Sequence, residues 1–111
     1  MTPTELALRY FETVKTRDLD RFAAIFSEDA SMIYPDGREA RGRAAIREHQ
    51  APTYASGNPP TPAPQSIIAG ESSAAVEVRV TLPNGTIYNM ANCFYFNEDG
   101  LIERLRVYRR G

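Results

Sequence analysis

The stretch from Thr86 to Phe96, TIYNMANCFYF, restricts the possible folds more than any other part of this chain. It is rich in aromatic and β-branched residues, has no Gly or Pro inside it, and follows an Asn84-Gly85 turn pair, so it reads as a strand. Period-two alternation places Tyr88, Met90, Asn92, Phe94 and Phe96 on one face, and Ile87, Asn89, Ala91, Cys93 and Tyr95 on the other. The first face is the more apolar, and a single amide interrupts it. Burying that amide without a partner costs on the order of a few kcal/mol. Asn92 is therefore either locked into a hydrogen-bond network or offered to a ligand.

Such a strand needs neighbours, and the flanking sequence supplies them. Upstream, Ser73 to Leu82 alternates Val76, Val78, Val80 and Leu82 with Glu77, Arg79 and Thr81, and Pro83-Asn84-Gly85 makes the hairpin turn. Downstream, Asn97-Glu98-Asp99-Gly100 turns the chain into a last strand, Leu101 to Arg109, with Leu105 and Val107 alternating with Arg104 and Arg106. Ser66 to Ala69 forms a weaker strand.

The first half has a different rhythm. Thr2-Pro3-Thr4-Glu5 is a helix start with a capping box, and Leu6, Ala7, Tyr10, Phe11 and Val14 follow at helical spacing to about Lys15. Asp18 caps a second helix whose buried side is Leu19, Phe22, Ala23 and Phe26, and Ser27-Glu28-Asp29 ends it. Ala30 to Tyr34 is a short strand with Met32 and Tyr34 on one face, closed by Pro35-Asp36-Gly37. Arg38 to Arg41 returns, and Gly42 precedes a third helix, Arg43 to about Gln50, with Ala45, Ile46 and His49 turned inward. Residues 51–65 hold five prolines, which predicts an extended loop that edges or covers a cavity. Helices packed on a curved, mixed or antiparallel sheet make an α+β fold.

Composition excludes several classes of function. A chain of 111 residues is one domain with one core. Its formal net charge of −1 gives no global field for nucleic acid or an anionic membrane surface. Cys93 is alone, so no internal disulfide can form and no thiolate zinc site is present. No metal ligand set or nucleotide motif is evident, which predicts no metal and no cofactor. No apolar signal core or membrane-length run is present, so a cytoplasmic protein is expected.

The run RYFETVKTRDLDRFAAIFSEDASMIYPDGREARGRAAIREH resembles the first half of the SnoaL-like and ketosteroid-isomerase-like proteins, members of the nuclear transport factor superfamily. The aromatic helix, the RDLD restart, F-x-x-D-A, the Pro-x-Gly turn, GR-x-x-I and the final F-x-E-D-G-x-I hairpin carry the resemblance. It implies a single domain over residues 1–111. Its expected form is cystatin-like, three helices on a curved sheet that forms a cone with a pocket. It also implies a small hydrophobic ligand of steroid, polyketide or terpenoid-like character. The pocket residues it implies are Phe22, Phe26, Met32, Val78, Val80, Tyr88, Met90, Phe94, Leu105 and Val107.

Ketosteroid isomerases use an Asp base, with a Tyr and a protonated Asp as oxyanion donors. By resemblance the donor Tyr falls on Tyr10 and the protonated acid on Asn92, whose amide N–H can donate the same bond. The base position falls on Tyr34, which departs from the family. A phenol titrates near ~10, which makes Tyr34 a poor base and a reasonable donor. The remaining base candidates are His49, with a reference pKa of about 6.5, and Asp36. Each has a plainer reading, His49 as a packing residue and Asp36 as a solvated turn residue. Two classes of function stay open. One is an isomerase or cyclase-type enzyme using Tyr10, Tyr34, His49 and Asn92. The other is a non-catalytic ligand binder or dimerisation module. The outer face bearing Ile87, Cys93 and Tyr95 lacks cover, which predicts a homodimer.

Overall fold

A computed structural model describes residues 1–57 and 59–110. Asn58, within the expected loop, and Gly111, at the end of the expected domain, lie outside the described residues. The chain begins with helix α1, Pro3–Thr16. The capping box forms as its residues require: the Thr2 hydroxyl accepts from the Glu5 N–H at 3.2 Å, and the Glu5 carboxylate accepts from the Thr2 N–H at 2.8 Å. Arg17, in a left-handed conformation with φ 54, ends the helix. Asp18 then caps α2, Leu19–Ala24.

Strand β1, Phe26–Ile33, starts earlier than expected. Phe26 and residues 27–29 belong to it rather than to α2, because Ile102 donates its N–H to the Ile25 carbonyl and Phe26 pairs in parallel with Ile102. The register then shifts before Ser31 meets Arg104. Arg43 fills the irregularity, donating twice to the Phe26 carbonyl, at 2.9 and 2.7 Å. Strand β2, Glu39–Arg41, returns antiparallel. Gly42, at φ 89, leads into α3, Arg43–Ala55.

The sequence expectation of a loop from residue 51 is corrected here. The helix runs through Pro52. That proline removes one helical hydrogen bond, a cost of about 3 kcal/mol in a helix interior. What holds the last turn is Tyr54, whose ring packs 5.7 Å from Phe22 and whose hydroxyl donates to the Thr13 carbonyl at 3.3 Å. Strand β3, Thr61–Ala69, likewise replaces loop with sheet. It tolerates Pro62 and Pro64 because it is an edge strand, and their two-residue spacing keeps both missing N–H groups on the side away from its neighbour.

Strands β4 (Ser73–Thr81), β5 (Ile87–Phe96) and β6 (Ile102–Arg110) complete a curved mixed sheet of order β2-β1-β6-β5-β4-β3. Among the described residues only the β1–β6 pair is parallel. The hairpin turn forms where Asn84-Gly85 predicts it, with Gly85 at φ 88. The helices cover one sheet face. There Phe22, Phe26, Phe94, Ile102 and Leu105 are fully buried, and the Tyr10 ring meets Phe94, Phe22 and Phe26 at 5.2, 5.7 and 6.4 Å. Among the described residues no helix is long and apolar enough to cross a membrane.

Candidate functional site: a cavity on the inner sheet face

Beyond this aromatic core the inner face is not filled. A cavity of about 280 Å³ lies between the far end of the sheet, α1 and the second half of α3. Met32, Val78, Val80, Met90 and Val107 project into it from the strands, and Phe11 and Val14 from α1. Gln50 and Thr53 of α3, with Pro35, Pro60 and Pro62, close its sides. Tyr10, Tyr34 and Asn92 are its chemically distinctive members.

Asn92 is 6% exposed, and its amide has no hydrogen bond to any other described residue. Its ladder positions explain why. It stands opposite Val76 on β4 and Val107 on β6, so neither neighbouring strand offers a polar side chain. Tyr34 sits at the end of β1, where a tight turn fixes its backbone: its N–H donates to the Arg38 carbonyl and its carbonyl accepts from Gly37, each at 2.8 Å. Its hydroxyl is buried and has no hydrogen-bond partner among the described residues. Burial raises its pKa, an effect the nearby Arg38 partly offsets. Burial also pushes the Tyr10 phenol well above its ordinary value, with smaller contributions from Tyr54 and Tyr34. Both hydroxyls are protonated at neutral pH and can donate.

His49 stands differently from the sequence expectation. Its side chain is exposed rather than turned inward, and its ring stacks on that of Tyr34 with centroids 4.9 Å apart. It therefore backs Tyr34 and does not line the cavity. Although Ile46 one turn earlier faces the core, His49 lies beyond the edge of the sheet cover, where the Tyr34 ring is its neighbour. Asp36 is also outside. Its carboxylate accepts from the Arg38 N–H at 3.0 Å and from the Arg38 guanidinium at 2.6 Å. Those contacts, the backbone one foremost, hold its pKa below the usual value.

Of the residues the resemblance implied for the pocket, Met32, Val78, Val80, Met90 and Val107 line it. Phe22, Phe26, Phe94 and Leu105 do not, since each is completely buried in the solid core next to it. Tyr88 is half-buried under the Arg109 guanidinium, 4.6 Å from its ring centre, and lies outside the cavity as well. Sequence reasoning missed Thr53 because it ended α3 at about Gln50, and it missed Gln50 because a polar residue at the expected helix end reads as solvated. It read Phe11 and Val14 as core, since an apolar stripe looks the same whether it meets side chains or a hollow.

The sequence matches the SnoaL-like domain over residues 7–105. The chain belongs to the SnoaL-like family. Similar solved structures include a protein from Sphaerobacter thermophilus, 27% identical, with a TM-score of 0.84 and 100% of this chain matched to 98% of that one. The epoxide hydrolase/cyclase-like enzyme SalBIII, of pyran ring formation in the polyether salinomycin, is 26% identical with a TM-score of 0.83. That match covers 97% of this chain and 90% of SalBIII. RV0760c from Mycobacterium tuberculosis, solved in complex with estradiol-17beta-hemisuccinate, is 17% identical with a TM-score of 0.80, over 97% and 94% of the two chains. No curated protein matches the sequence. The SnoaL-like chain thus shares its fold with cyclase-like, ketosteroid-isomerase-like and ligand-binding proteins. Its own cavity chemistry must separate these activities.

Proposed function

We propose that the cavity binds a small hydrophobic molecule of steroid, polyketide or terpenoid-like character and holds one of its oxygens on Tyr10, Tyr34 and Asn92. The observation that carries this reading is that the Tyr34 hydroxyl and the Asn92 amide have no hydrogen-bond partner among the described residues, in a largely apolar wall. A buried donor left unpaired is costly, and a ligand carbonyl or hydroxyl that pairs with it recovers that cost. RV0760c, with its bound steroid ester, supports the same class of ligand.

The same three groups are the oxyanion half of an isomerase or cyclase-type site, where one donor can be worth roughly 10²–10³ in rate. The other half is a base, and among the described residues the cavity wall has no carboxylate and no imidazole. Binding and orientation without proton abstraction is therefore the reading we adopt. Titration with a 3-ketosteroid and with polyketide and terpenoid ketones tests it. At least one should bind, and Asn92→Leu should weaken it about tenfold, the worth of one hydrogen bond. A β,γ-unsaturated 3-ketosteroid should not be isomerised. Rapid turnover would reveal a base acting from outside the wall, and silence across the ketone panel would end the binding reading.

We also propose a homodimer through the outer sheet face. Ile87 and Tyr108 are more than half exposed there, and the Nε atoms of Arg104 and Arg106 are buried with no hydrogen-bond partner among the described residues. Sedimentation at micromolar concentration should show a dimer that Tyr95→Glu weakens by burying an unpaired charge. A wild-type monomer at every accessible concentration contradicts it.

A further inference from the structure

The outward face of the sheet carries its charge unevenly. Along the paired rows of β4, β5 and β6 the outward residues include Arg79, Arg104, Arg106 and Arg110, and a single carboxylate, Glu77. Arg104 lies over the Tyr95 ring, 4.1 Å from its centre, and Arg79 and Arg110 are exposed at the far end of the face. Arg106 has neither ring nor carboxylate beside it. It is half-buried between Ile33 on β1 and Cys93 on β5, and its Nε has no hydrogen-bond partner among the described residues. Glu77 is exposed, and its carboxylate accepts from the Ser66 hydroxyl at 2.6 Å. Among the described residues neither Arg106 nor Glu77 is in an ion pair.

Resting on the homodimer reading, we infer that the partner of Arg106 is Glu77 of the second copy, met twice across one two-fold axis. Within one chain the two stand too far apart to pair. Glu77 is opposite Ala91 and Arg106 opposite Cys93, on the strands either side of β5, so about 12 Å of sheet separates them. Their midpoint falls on β5, between Ala91 and Cys93. Take a two-fold axis that lies between the copies, crosses this midpoint and runs perpendicular to the line joining the pair. It brings Glu77 of each copy over Arg106 of the other, because an isologous interface repeats every contact. Two further features suit this register. Ala91 and Cys93 are small, so the faces can close to the ~10 Å of packed sheets, a gap that an extended arginine and glutamate span together. The same operation lays Ile68, which is 73% exposed and pairs with Ala75, over Tyr95.

Sedimentation of charge-reversed variants tests this. Glu77→Arg and Arg106→Glu each set like charges together twice per dimer, and each alone should raise the dissociation constant about a hundredfold or more. Mixed in equal amounts, the two should form a heterodimer about as tight as the wild-type dimer, because each variant supplies the charge the other lacks. Neutral variants add an arm independent of any folding defect in the reversals. Glu77→Gln and Arg106→Gln should each weaken the dimer about tenfold, and both together little further. A wild-type dimer indifferent to the reversals would overturn the pair and leave the homodimer standing. Reversals that weaken the dimer singly but stay apart on mixing would also overturn it, the face then taking an acidic partner of another kind. Neutral variants whose effects simply multiply would do the same. A wild-type monomer would remove both readings together.

Discussion

On one face of β5, Phe94 and Phe96 lie in the solid core, while Asn92 and Met90, only two and four residues before Phe94, border the cavity. The strand, the face and the alternation are the same. What differs is the cover. Phe94 meets Tyr10 at 5.2 Å and Phe11 at 6.0 Å, rings delivered by α1, with Phe22 of α2 in the same cluster. Met90 faces the prolines of the edge segment and the far half of α3, which do not reach down to fill the space. The comparison teaches that a hydrophobic pattern specifies which face is inside, and the packed partner decides whether that inside is solid or hollow.

The sharpest way to break this comparison is to truncate both ends. Phe94→Ala should cost about 3–5 kcal/mol, read as a lower urea midpoint at unchanged slope, because the surrounding rings cannot collapse into the void. Met90→Ala should cost under about 1 kcal/mol, since part of its surface already faces a hollow. Equal costs would mean that the two ends are packed alike.

A second test uses alkali. Tyr10 and Tyr54 both sit against the solid end, and burial raises both phenols, Tyr54 up to about 12 and Tyr10 further. A raised folded-state pKa contributes stability that is complete below the unfolded value of 10.0 and is lost as pH climbs through the folded one. Urea midpoints should hold level up to about pH 9 and fall steeply above 10. Tyr54→Phe should flatten part of that fall. An unaltered alkaline slope in the variant would show that its phenol is not the group responsible.

The smallest effect is the one that speaks most directly to function. Asn92→Leu should stabilise the protein by about 1 kcal/mol, because it replaces an unpaired amide with a side chain that suits its valine neighbours. Loss of ligand together with gain of stability would mark the amide as kept for binding. A destabilisation of several kcal/mol would instead place Asn92 in a structural network.

Much of the fold could be read from the chain. The capping box at Thr2, the Asn84-Gly85 hairpin, the Asp18 cap and the split faces of β5 follow from local chemistry: hydroxyl and carboxylate reach, glycine's tolerance of positive φ, and period two. The family motifs add the α+β layout and the SnoaL-like assignment. Tyr10, Tyr34 and Asn92 were likewise nameable from sequence, and the fold places all three on one cavity wall.

Other features were decided by partners far away in the chain. Residues 26–29 join β1 because Ile102 docks beside them, and α3 passes Pro52 because Tyr54 finds Phe22 and Thr13. The prolines at 62 and 64 enter a sheet because that strand lies at an edge. His49 is exposed on α3, and its stack on Tyr34 sets its place. Sequence patterns encode what each residue would rather touch, water or hydrocarbon. Which particular groups meet, and where none arrives so that a cavity remains, depends on how the elements pack against one another.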